Sequence, residues 1–306
     1  MRFAKVFDFS KKQYDIEHAL MLHADSFVVM PAAAIYEKER LEEFEEVSKK
    51  CHIYLIGLTP RVFLEEVEQA GQMALIKFKV GDNPVVVKSR LPEGSTLVKE
   101  DQLFRVLGKD GEEHGIDDVD MAQAIKQVHP VHFDVLYIGQ AYGKAGERAA
   151  LDRLEKHETL QKISLQIGAP PGKQLTVLLL EVISANRMLT MFNPFAKDLS
   201  SGTERIRAGI DKLYGTTEKE RVALYEASLI RYFQPRYNKD FKDSFPSTDM
   251  KVLKDCYDKD FSSIIAEINF DDLPWDLKSE QVPAAQSHIA KHSLHTAEER
   301  SMFFSS

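Results

Sequence analysis

An α+β fold is expected: a mixed α+β region over residues 1–128, a compact α/β unit over 129–245 and a C-terminal extension over 246–306. Three observations lead there. A length of 306 residues suits roughly two domains of about 100–200 residues each. With 43% hydrophobic and 29% charged residues, the chain reads as globular rather than disordered or fibrous. Between 131 and 245, strand-like and helix-like runs alternate, as in a short sheet flanked by helices. No run approaches the roughly 18–20 apolar residues of a membrane span. The opening "MRFAKVFDFSKKQYDIEH" has no apolar h-region. Cys51 and Cys256 are the two cysteines, and no CxxC or Cys/His cluster accompanies them. A cytoplasmic protein with two free thiols and no structural zinc is expected.

Taken in order, "KERLEEFEEVSKKC" (38–51) reads as a charged amphipathic helix and "HIYLIGL" (52–58) as a buried strand. "PRVFLEEVEQAGQ" looks helical up to Gly71. "MALIKFKV" and "NPVVVKSRL" alternate as strands around the turn "GDNP". A turn follows at "KDGEEHG", then a short helix over 117–128 closed by Pro130. The middle region gives a strand (131–139), a helix (about 145–163), the strand "QLTVLLLEVI" (174–183) and helices over about 200–214 and 217–233. Beyond it, "SSIIAEINF" is strand-like, and the tail from "AAQSHIAKHS" onward carries no further expectation.

The net charge of −8 argues mildly against a generic nucleic-acid binder. The charge is uneven. Residues 131–245 hold 17 Lys/Arg against 14 Asp/Glu, and the rest of the chain holds 23 against 34. A basic middle permits phosphate contacts there, and the acidic flanks leave room for a protein partner.

Three places could carry chemistry. In "TTEKERVALYEASLIRYF", Val222, Tyr225, Leu229, Ile230 and Phe233 repeat as one buried helical face. Glu226 sits inside that stripe. A carboxylate there either reaches solvent at the edge, pairs with an arginine, or holds a cation. In "AGERAALDRLEKHETLQKI", Arg153 and His157 are four apart and share a face. They form either a solvated shoulder or an anion site. In "FDVLYIGQAYG", alternation puts Val135 and Tyr137 on one strand face and Leu136 and Ile138 on the other. Gly139 lets a backbone or ligand come close. Tyr137 is either a core tyrosine or one that positions water.

In sequence these pieces resemble the GIY-YIG nuclease family. "YIG" stands at 137–139, "R-L-x-x-H" at 153–157, "E-x-x-L-I" at 226–230 and "F-x-P-x-Y-N" at 233–238. The match covers about 131–245. The resemblance implies a GIY-YIG-like unit and a metal-dependent endonuclease, DNA favoured as its nucleic-acid partner. It implies that Tyr137 orients or activates the attacking water and Arg153 neutralises the scissile phosphate. Glu226 binds one Mg²⁺ or Mn²⁺, His157 assists near the phosphate, and Asn238 is more structural than catalytic. Gly139, Tyr142, Lys144, Arg148 and Asn238 are the implied substrate contacts, with Arg148 the runner-up to Arg153. A one-metal site cuts one strand at a time, so double-strand cleavage needs a homodimer or two encounters.

One part of the pattern is missing. The family places a first tyrosine, in Gly-Ile-Tyr, on a strand about ten residues before YIG. "AIKQVHPVHFDVL" has none. "HIYLIG" at 52–57 looks similar, but it lies more than 80 residues upstream and is read as coincidence. His132 or Tyr142 is the expected substitute. The alternative function is a catalytically degenerate nucleic-acid-binding or sensing module on the same scaffold.

Overall fold

The structure, a computed structural model, describes residues 12–37, 41, 45–100, 103–115, 118–141, 154, 158–168, 170–182, 187–247 and 249–295. The mixed α+β character is as expected. The strands are β1 (Ile16–Pro31), β2 (Ile53–Pro60), β3 (Val62–Ala70), β4 (Met73–Val80), β5 (Asn83–Arg90), β6 (Thr96–Glu100), β7 (Leu103–Leu107), β8 (Glu113–Gly115), β9 (His132–Gln140), β10 (Lys173–Val182), β11 (Arg187–Phe192), β12 (Ser263–Asn269), β13 (Asp276–Lys278) and β14 (Ser287–Ser293). The helices are α1 (Glu45–Ser48), α2 (Asp118–Val128), α3 (Glu158–Ile167), α4 (Gly202–Gly215), α5 (Glu218–Phe233) and α6 (Lys251–Asp258), with a 3-10 turn at Ala32–Tyr36.

An eight-stranded mixed sheet runs β13-β9-β2-β10-β1-β12-β14, with β11 also paired to β1. It takes strands from all three of the segments expected as separate units. β10 lies inside this sheet, which explains its nearly unbroken apolar run. Val177 and Leu179 point to one side, Leu178 and Leu180 to the other. One side is covered by α5 and α6, and the other by the 3-10 turn and α3.

Residues 61–131 form a module inserted between β2 and β9. It holds two three-stranded sheets, β3-β4-β5 and β6-β7-β8, and α2. Leu64, Ile76, Phe78, Val85, Phe104 and Ile125 form its own apolar cluster. The expected helix at "PRVFLEEVEQAGQ" is instead β3. Pairing with β4 buries Leu64, and Lys77 bridges Glu66 and Glu68 at 2.8 and 2.5 Å. Cross-strand pairing outweighs the local helical spacing here. The module docks tightly at its start. Arg61 N donates to Gly172 O at 2.8 Å and Gly81 N donates to Arg61 O at 2.7 Å. A Cβ on Gly172 would lie 2.8 Å from the Gly81 carbonyl carbon, so the two turns meet backbone to backbone.

Local chemistry fixes α5. Thr217 and Glu220 form a reciprocal capping box, and the αL residue Gln234 (φ 50°) ends the helix before Pro235. Glu218 and Glu220 in the first turn and Arg231 in the last suit the helix dipole.

Buried histidines make this fold acid-sensitive. Burial above all, then the charge of Arg231, holds His292 down at about 4, against the opposing hydrogen bond to Ser228 O. Burial also lowers His18 and His288. The unfolded chain takes up a proton below about 6.5, whereas folded His292 does so only near 4. Stability is therefore full above about pH 6.5 and falls as pH drops toward 4. His292 alone accounts for a loss of about 2 kcal/mol by pH 5. Urea unfolding at pH 7 and pH 5 measures this. Equal midpoints, or the same pH slope in His292→Gln, would refute it.

Candidate functional site

The tyrosine strand does not alternate as expected. β2 and β9 pair antiparallel, with Ile56 opposite Tyr137 and Gly57 opposite Val135, so a bulge falls at Leu136. The extra residue reverses the facing of the residues after it. Val135 and Ile138 therefore join the cluster under α5, while Leu136 and Tyr137 pack on the α3 side. The expectation that Val135 and Tyr137 share a face is corrected by this bulge.

The same pairing brings "HIYLIG" beside YIG. Those residues form the strand next to YIG, and Tyr54 stands opposite Gly139. Tyr54 is fully buried and Tyr137 half-buried, both on the α3 side. Their ring centroids are 6.1 Å apart, at 34°. A Cβ on Gly139 would meet Tyr54 Oη at 2.5 Å and Tyr137 Cε1 at 2.9 Å. Only glycine leaves room for both rings. The long insertion that made this pairing implausible is the folded module. It leaves and re-enters at the paired ends of two neighbouring strands, so its closure costs little.

His132, an expected substitute for the first tyrosine, is five residues up the strand from Tyr137, about 16 Å away. It lines a cavity with Asp134, Lys173 and Lys278. Tyr142, the other substitute, lies outside the described residues, as do Lys144, Arg148, Arg153 and His157. Leu154, next to Arg153, is fully buried in the cluster that contains Tyr54 and against which Tyr137 packs.

Asn238 closes the outer edge of β9. Its Oδ1 accepts from Ile138 N at 2.9 Å and its Nδ2 donates to Ile138 O at 2.8 Å. Tyr237 N adds a bond to Leu136 O at 3.0 Å. Asn238→Ala leaves two buried backbone groups unsatisfied and is expected to cost about 2–4 kcal/mol. Chemical denaturation checks this, and a loss below about 1 kcal/mol would refute the clamp.

Glu226 is only 9% exposed, within a run of the helix from Leu224 to Ile230 that is buried throughout. α5 packs on the face of the sheet opposite the tyrosine pair, and two contacts anchor its ends to the tyrosine strands. Glu218 at its start lies 3.7 Å from His52, two residues before Tyr54. Its end leads into Tyr237 and Asn238 on Leu136 and Ile138. Glu226 lies between these anchors, about 12 Å along the axis from Glu218. Among the described residues no group of three or more His, Cys, Asp or Glu is placed to hold a metal. A lone carboxylate is a donor that Mg²⁺ takes only together with waters and phosphate, not an all-protein cage.

The large neighbouring polar cluster is structural. Arg205 donates to Asp260 at 2.7 Å and lies over the Tyr14 ring, and His18 bonds Thr190 and Arg205 O. Both cysteines are buried, with their thiols pushed up to about 12 and about 11, which makes them poor nucleophiles.

No family model matches the chain, and no curated protein or solved structure matches it.

Proposed function

We propose that the protein is a metal-dependent endonuclease that hydrolyses phosphodiester bonds in nucleic acid, DNA favoured. The observation that carries this reading is the Tyr54–Tyr137 pair over Gly139, on adjacent strands. It supports reading Tyr54 as the counterpart of the first tyrosine that the sequence pattern lacked, and so favours the nuclease over the degenerate-module alternative.

Tyr137, half-buried, faces the substrate and orients the attacking water. Tyr54, fully buried behind it, is a positioning residue that sets the ring of Tyr137. Arg153 stabilises the charge developing on the phosphate. Glu226 would hold Mg²⁺ or Mn²⁺, which supplies Lewis-acid stabilisation of that charge when bound. The bonds from Asn238 and Tyr237 keep the bulged strand, and with it Tyr137, in place.

The test is supercoiled plasmid with the purified chain and Mg²⁺ or Mn²⁺. A nicked product that EDTA abolishes is expected. Failure to cut plasmid, single-stranded DNA and RNA under all metal conditions would overturn the reading.

A further inference from the structure

The face of the sheet that carries the tyrosine pair has a second opening. It is a cavity of about 340 Å³ where β2 meets the insertion, lined by Tyr36, Arg61, Gln161, Ser164, Gly168 and Lys173. Leu160 and Leu175 of the tyrosine-side cluster form its floor. Tyr36, at the end of the 3-10 turn, is 60% exposed, unusually open for a large ring. Arg61 is exposed, and its backbone is pinned on both sides by the bonds to Gly172 and Gly81. Among the described residues no carboxylate pairs with its guanidinium. Lys173 lies beside it, its ammonium 3.3 Å from Asp134 and 48% exposed.

A free aromatic face and a guanidinium on a pinned stretch of backbone, in a cavity of this size, suit a base with a phosphate attached. We propose that this cavity binds one nucleotide unit of a nucleic-acid strand, its base stacked on Tyr36 and its phosphate on Arg61 and Lys173. The orientation is set by α3. Gly168 (φ +66°) ends that helix at the cavity, and the carbonyl-rich helix end repels an anion. The phosphate therefore lies on the Arg61 side.

The assignment to a strand rests on the nuclease reading, whereas the base-plus-phosphate chemistry does not. Arg61 is seven residues along β2 from Tyr54, about 23 Å. A strand that reaches the cavity therefore extends several nucleotides beyond the tyrosine pair. The cavity thus gives strands longer than the cleavage site itself an additional grip.

The experiment uses the full chain in EDTA, so that nothing is cut. Binding of a fluorescein-labelled 12-nucleotide single strand is followed by anisotropy, and binding of AMP and of adenosine by calorimetry. Tyr36→Ala is expected to weaken strand binding about tenfold and Tyr36→Phe to leave it unchanged. Arg61→Ala is expected to weaken it about tenfold and to flatten the salt dependence by about one unit. AMP should bind better than adenosine. Strand binding unaltered in both Tyr36→Ala and Arg61→Ala overturns the inference and leaves the nuclease reading standing. AMP binding that needs Arg61, without binding or cleavage of any strand, supports the cavity's chemistry and overturns the nuclease reading.

Discussion

Glu226→Gln is expected to lower Mg²⁺-dependent nicking by about 10³-fold while leaving the protein folded. The substitution keeps the volume of a side chain that is only 9% exposed on a buried helix. It removes only the charge. Glu226 has an interaction within the chain, and the assigned role adds a divalent ion held with its waters and the substrate phosphate. The readouts are nicking rate, circular dichroism and Mn²⁺ binding by electron paramagnetic resonance. Wild type should bind one Mn²⁺ and the variant none. Equal nicking by wild type and variant sinks the assigned role of Glu226.

Tyr137→Phe is expected to reduce cleavage by about 10²-fold, and Tyr54→Phe by about tenfold. The ranking follows from burial. Tyr137 is half-buried, whereas Tyr54 is fully buried with its hydroxyl against Gly139. Both changes keep the rings that pack the α3 side of the sheet, so unfolding midpoints should move little. Single-turnover rates on a nicking substrate decide the matter. A larger effect from Tyr54 than from Tyr137 would exchange their roles, and no effect from either would remove the tyrosine pair from the mechanism.

Much of the secondary structure could be read locally. The capping box at Thr217–Glu220, the unbroken apolar run of β10 and the alternation of β4 and β5 each have a short-range cause. The strand at Ile16–Pro31 and the pairing of Ser287–Ser293 with Ser263–Asn269 drew no expectation. Their segments mix histidine, aspartate and serine among apolar residues, so neither period stands out. At "PRVFLEEVEQAGQ" the helical spacing was real but lost to cross-strand pairs with β4. One sheet draws strands from all three expected segments. Hydrogen bonding in the sheet joins strands far apart in sequence, which no composition shift records.

The candidate site divides the same way. The sequence by itself determined the candidate residues: YIG at 137–139, a glutamate within an apolar helical stripe and an asparagine after "PRY". Each follows from residue type and short-range spacing. Only the tertiary structure decided that Tyr54 belongs beside Tyr137, because their contact is made across a strand pair with a folded module between them. Only it decided which face Tyr137 takes, since a bulge is set by the register of the partner strand and not by the bulged strand alone.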